Sequence, residues 1–198
     1  IVGMNIYAYC LEIGRGVQKD LNEALSYYTK SANGGYVDAM NNLALFYKKY
    51  NDNAENKEKA IEWYLKAAEK GSTIAFYKLA VIYETGDGTY IDMEKAAEYY
   101  KKAADNGDLE SILSYAYMLN NGNGVKKDKN KAIEYYKIAA TEKNDTFGKM
   151  KYQQIIKDGD EISKIRFFND TFLPSKEVIK SIKNKDARNW KWGELLYY

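Results

Sequence analysis

Apolar and polar positions alternate at helical spacing through most of the chain, and the alternation itself repeats. In the third copy Phe76, Leu79, Ala80, Ile82 and Tyr83 recur at three- and four-residue steps, which predicts a helix with one buried face. A second stripe follows at i, i+4 and i+8: Ala96, Tyr100 and Ala104. Equivalent stripes begin at Ala24, Ala60 and Ala132, with Tyr28, Tyr64 and Tyr136 one turn later, so the pattern returns every 36 residues in four copies. A fixed period of that size predicts a solenoid, in which each helix pair leaves an apolar face for its neighbour to cover.

The residues between the stripes predict how each pair is joined. Gly14-Arg15-Gly16, Gly86-Asp87-Gly88 and Gly122-Asn123-Gly124 end the first helices, since glycine supplies the left-handed angles that a reversal needs. Asp20, Asn56, Asp92 and Asp128 are expected to cap the second helices, with Glu23 forming a capping box on Asp20. Gly35, Gly71 and Gly107 close those helices. Two departures stand out. Tyr50-Asn51-Asp52-Asn53 replaces the glycine turn of the second copy, and Lys143 stands where the fourth closing glycine belongs.

After that point the register fails. Phe147–Lys157 reads as the opening helix of a fifth unit, with Met150, Ile155 and Ile156 out of phase. Thr171–Pro174 reads as a linker, Lys176–Lys183 as a short helix, and the end of the chain is aromatic. The expected division is 1–146 for four repeats, the first with a truncated opening helix, and 147–198 for a C-terminal helical cap.

Composition narrows the function classes. The net charge of +2 argues against a nucleic-acid groove or an anionic membrane surface. No apolar run is long enough to span a bilayer, and no signal-peptide core is visible. With one cysteine there is no internal disulfide. These features favour the cytoplasm, and leave the periplasm or secretion open if a leader has been removed. The chain has no histidine, which removes imidazole acid–base chemistry and histidine metal sites together. Cys10 aligns with Phe46, Ile82 and Met118 and is expected to be a small buried hydrophobe. The repeat tyrosines are expected to be core.

Leu79-Ala80, Tyr83, Gly86-x-Gly88, Asp92, Lys95-Ala96, Tyr99-Tyr100, Lys102-Ala103-Ala104 and Gly107 together resemble the SEL-one-like repeat, a relative of the tetratricopeptide repeat. The resemblance implies an all-α fold: a right-handed α–α superhelix of four helix–turn–helix repeats followed by capping helices. It also implies a concave groove lined by the first helices. Carrying over that phase puts Asn5, Asn41, Tyr77 and Leu113 in the groove, then Tyr9, Leu45, Val81 and Tyr117, with Glu12, Lys48, Glu84 and Asn120 as polar neighbours. Proteins with such repeats commonly serve as adaptors, so a protein or peptide is the expected partner and no cofactor, metal or catalytic residue is expected.

An alternative within the same resemblance is an inhibitor or immunity protein that occludes a toxin or enzyme. A cysteine-rich branch is linked to β-lactam hydrolysis, but this chain lacks its paired cysteines, so an enzyme is not expected. Trp190 and Trp192 are read either as part of the cap or as anchors that dock on another molecule, a second copy of the chain included.

Overall fold

The computed structural model describes residues 1–50, 53–141 and 143–157. The linker, the short helix and the tail with Trp190 and Trp192 lie outside the described residues, as do Asn51 and Asp52 of the second turn. The chain divides into two compact units, Ile1–Tyr152 and Gln153–Tyr198. Only residues 153–157 of the second are described.

Among the described residues there are nine helices and no strand: α1 Val2–Ile13, α2 Leu21–Asn33, α3 Val37–Tyr50, α4 Ala54–Glu69, α5 Thr73–Thr85, α6 Met93–Asp105, α7 Leu109–Asn121, α8 Lys129–Thr141 and α9 Thr146–Lys157. Within the first unit each first helix packs on its own second helix and, through that helix, on the next first helix, giving an α-solenoid. The core follows the stripes. Ala24, Ala60, Ala96 and Ala132 are sealed, as are Tyr28, Tyr64, Tyr100 and Tyr136, with Leu43, Leu79 and Ile112 packed from the first helices.

The joints recur as closely as the helices. Gly14, Gly86 and Gly122 end α1, α5 and α7 with φ of 74°, 74° and 83°. Asp20, Asp92 and Asp128 then accept the amides of Glu23, Lys95 and Lys131 at 2.9, 3.0 and 3.0 Å, starting α2, α6 and α8. The amides of these aspartates donate back to the carbonyls of Leu11, Tyr83 and Leu119 at 3.1, 2.8 and 2.9 Å. That bond corrects the expected capping box. The Asp20 amide is satisfied by the preceding helix, not by the Glu23 side chain.

The second repeat needs another correction. Its N-cap is Asn53, not Asn56: the Asn53 side chain accepts the Asn56 amide at 2.8 Å, so α4 starts one turn earlier than its counterparts. Asn56 is thereby inside the helix and buried. Cys10 also differs from expectation. It is only half-buried, although Phe46, Ile82 and Met118 at the same position are buried.

α9 explains the lost phase after Lys143. The left-handed residue that ends the fourth repeat is Asn144 (φ 52°), one place later than the period requires, and asparagine tolerates that conformation better than lysine. The cap moves by the same step. Asp108 accepts the Ser111 amide ahead of α7, and Asp145 accepts the Gly148 amide ahead of α9. With that one-residue slip Gly148 falls into the position of Ala39, Ala75 and Ser111, and buried Tyr152 into that of Leu43, Leu79 and Tyr115. The small residue is required there. A Cβ on Gly148 would lie 2.8 Å from that of Ala139 on α8.

Candidate functional site

Successive first helices lie side by side, and their polar bridges show how the candidate residues are held. The Asn42 amide on α3 donates to the Asn5 side-chain oxygen on α1 at 3.0 Å. Asn41 and Ser72 exchange side-chain bonds of 2.9 and 3.2 Å, and the Ser72 hydroxyl oxygen also accepts the Ala75 amide. Asn5 and Asn41 are both buried, and their side chains tie one repeat to the next. Tyr77 and Leu113, at the same register, are half-buried. The Tyr77 ring lies 6.3 Å from that of Tyr100, and the Lys78 ammonium lies 5.3 Å from its centroid.

One turn on, the picture changes. Tyr9 is 48% exposed, Leu45 48% and Tyr117 55%, with Val81 half-buried between them. These four occupy one register position on α1, α3, α5 and α7. The pattern alone did not mark three further members of this face on α1. Val2, Ile6 and Ile13 are all exposed and stand at helical spacing with Tyr9, and Ile74 repeats the position of Val2 on α5. Apolar residues on every side of α1 were the available signal, because a helix apolar all round is normally covered.

The polar neighbours are engaged within the solenoid. Glu12 accepts the Tyr28 hydroxyl at 2.8 Å, the Tyr50 hydroxyl at 3.0 Å and the Lys49 ammonium at 3.0 Å. Glu84 accepts the Tyr100 hydroxyl at 2.6 Å. Lys48 pairs with Asp87 at 2.6 Å, and Asp87 also takes Lys57 at 3.0 Å, so one carboxylate of the third turn binds two cations of the second repeat. Asn120 is half-buried, with its amide 3.4 Å from the Asn121 side chain.

These contacts set the local electrostatics. Burial pushes the Glu12 carboxyl up, but the bonds from Lys49, Tyr28 and Tyr50 outweigh it and leave Glu12 below its ordinary value. Lys48 and Lys57 likewise hold Asp87 low. Burial, then the bond to Glu12, raises the Tyr28 phenol, and Tyr64 is pushed up to about 12 by burial alone.

A separate cavity of about 400 Å³ lies between α6, α7 and α8, lined among others by Asp105, Ile112, Tyr135, Ile138 and Lys143. The Tyr135 hydroxyl donates to Asp105 there at 3.1 Å. Among the described residues no group of three or more Cys, Asp and Glu side chains is arranged to hold a metal ion. No described helix is long and apolar enough to cross a membrane.

The helix pairs, their fixed period and the exposed register on the first helices define an α-solenoid of the tetratricopeptide-like class. The chain belongs to the Sel1 repeat family, whose model matches residues 1–36, 37–72, 74–108 and 109–144. It is similar to a Sel1 repeat protein from Oxalobacter formigenes, at 33% identity over 78% of this chain and 63% of that one, with a TM-score of 0.71. A protective antigen present in uropathogenic Escherichia coli strains, displaying the same repeat fold, is 25% identical over 91% of this chain and 44% of its own, with a TM-score of 0.69. Helicobacter pylori cysteine rich protein B is 28% identical over 66% of this chain and 92% of its own, with a TM-score of 0.51. The chain thus spans less than two thirds of the length of the first two. No curated protein matches it. Sel1 repeat proteins are generally non-catalytic modules of protein interaction.

Proposed function

We propose that this protein is a non-catalytic adaptor that holds a protein or peptide segment against the Tyr9, Leu45, Val81 and Tyr117 register of its first helices. One observation carries the reading: three of these four side chains are about half exposed, while Ala8 beside Tyr9, Ala44 and Phe46 beside Leu45, and Ala116 and Met118 beside Tyr117 are buried. An apolar row kept in water on a rigid scaffold costs solubility and is typical of a surface that another chain covers. The solenoid supplies the rigidity, because the tyrosine and asparagine bridges hold α1, α3 and α5 before a partner arrives. The lack of histidine, with Cys10 as the single thiol, supports binding over catalysis.

The test is affinity capture from the source cell with wild type and with Leu45→Glu and Tyr117→Glu. The expected outcome is loss of the captured partner with unchanged helicity and melting. Folded variants that still capture it would defeat the proposal, and variants that unfold would reassign these side chains to the core. One tight partner would mark an inhibitor; several weaker ones would mark an adaptor.

A further inference from the structure

The fourth repeat departs from its own pattern at two positions that line one cavity. Lys30, Lys66 and Lys102 of the first three repeats hold their ammonium groups over the ring three residues earlier, 5.2 Å from Tyr27, 4.0 Å from Trp63 and 5.2 Å from Tyr99. The fourth repeat has Ile138 there, three residues after Tyr135, and Lys143 in place of the closing glycine. At the preceding junction the equivalent residues meet. Phe76 on α5 lies 6.4 Å from the Tyr99 ring, and the Lys102 ammonium lies 6.0 Å from Phe76. The residue of α7 that matches Phe76 is the smaller Ile112, and the cavity of about 400 Å³ between α6, α7 and α8 stays open beside it.

The cavity is apolar within and charged at its rim. Ala104 and Ile112 are buried in its wall, with Tyr135 and Ile138 packed against them. Asp105 is satisfied, since it accepts the Tyr135 hydroxyl at 3.1 Å and the Lys101 ammonium at 2.6 Å. Glu134 and Lys143 are not. Both line the cavity and are exposed, and among the described residues neither side chain has a hydrogen bond or an ion pair. The Lys143 ammonium lies over Gly107, 3.1 Å from where a Cβ on that glycine would stand.

We propose that this cavity binds a short apolar peptide with both termini free, its ammonium at Glu134 and its carboxylate at Lys143. The two unpaired charges are opposite in sign and apart. Seven residues of helix, about 10 Å, run from Glu134 to the end of α8 at Thr141, and Lys143 lies beyond. A free amino acid carries both charges on one carbon and cannot reach the two, whereas three extended residues at about 3.5 Å each can. Burial of the peptide's apolar side chains against Ile112 and Ile138 supplies affinity, and the two ion pairs set its direction. No lining residue belongs to the Tyr9, Leu45, Val81 and Tyr117 row, so the site does not rest on the adaptor reading.

The test is calorimetric titration of the full chain with trileucine, and with the same peptide N-acetylated, C-amidated or both. Each block should weaken binding about tenfold, the loss expected for one charge-assisted contact, and free leucine should bind at least about tenfold more weakly than trileucine. Ile138→Lys, which restores the repeat's own lysine, should weaken binding by a similar factor while leaving helicity and melting unchanged. The penalty of amidation should disappear in Lys143→Gln and that of acetylation in Glu134→Gln, a pairing that mere loss of structure would not produce. The proposal is overturned if trileucine does not bind at millimolar concentration, or if the doubly blocked peptide or free leucine binds as well. It is also overturned if the blocking penalties persist in the two charge variants, which decide the matter by themselves should Ile138→Lys unfold.

Discussion

Repeats one and three anchor the hydroxyl of their core tyrosine on a glutamate sixteen residues earlier, Tyr28 on Glu12 and Tyr100 on Glu84. Repeats two and four bury an equivalent tyrosine without that partner. Lys48 and Asn120 stand at the glutamate's position, and Lys48 is drawn away to Asp87. All four rings are equally sealed, so the packing does not depend on the hydroxyl bond. In the first repeat the glutamate also reaches the next helix pair. Glu12 accepts the Lys49 ammonium and the Tyr50 hydroxyl, whereas the second repeat is tied to the third through the Asp87 bridge.

If the ring alone carries the packing, removing it should be costly in either kind of repeat. Tyr64→Ala and Tyr28→Ala should each lose about 3–5 kcal/mol in urea unfolding, the usual cost of a large side chain lost from a core. A large gap between the two would show that the glutamate contributes to packing after all.

Removing the hydroxyl alone should separate them. Tyr28→Phe leaves a carboxylate short of a donor and should cost about 1.5–3 kcal/mol, the range for a hydrogen bond to a charged group. Tyr64→Phe should stay within about 0.5 kcal/mol of wild type. Equal effects would mean that the glutamate is satisfied without the phenol.

The pH dependence gives a third comparison. The folded Glu12 value is lowered, so its stabilisation is present above the unfolded carboxylate value and fades as pH falls through the folded one. Glu12→Gln should therefore flatten the acid limb of stability measured by chemical unfolding. At high pH the sign reverses. The Tyr64 phenol rises from 10.0 to about 12 in the fold, so its contribution holds below 10.0 and is lost as pH climbs towards 12. Tyr64→Phe should remove that part of the alkaline loss.

The smallest effect belongs to the exposed row. Tyr117→Glu should change stability by no more than about 0.5 kcal/mol, since the side chain is half in water, and a larger loss would place it in the core with Tyr136.

What could be read from residue order alone was whatever is decided over a single turn or period. The Ala24-Tyr28-Ala32 stripe, the left-handed glycines at 14, 86 and 122 and the caps at Asp20, Asp92 and Asp128 all rest on bonds or contacts three to eight residues apart, and each appears as expected. The 36-residue period could be read for the same reason, as a local pattern repeated.

Tertiary structure decided what depends on distant partners. It made Asn41 a buried bridge to Ser72 and left Leu45, four residues on, half in water. It sent Lys48 to Asp87, moved the α4 cap to Asn53, and restored α9 to the solenoid after a one-residue slip. Side-chain reach, and which neighbour fills a given space first, settled these outcomes, and neither is encoded in the spacing along one helix.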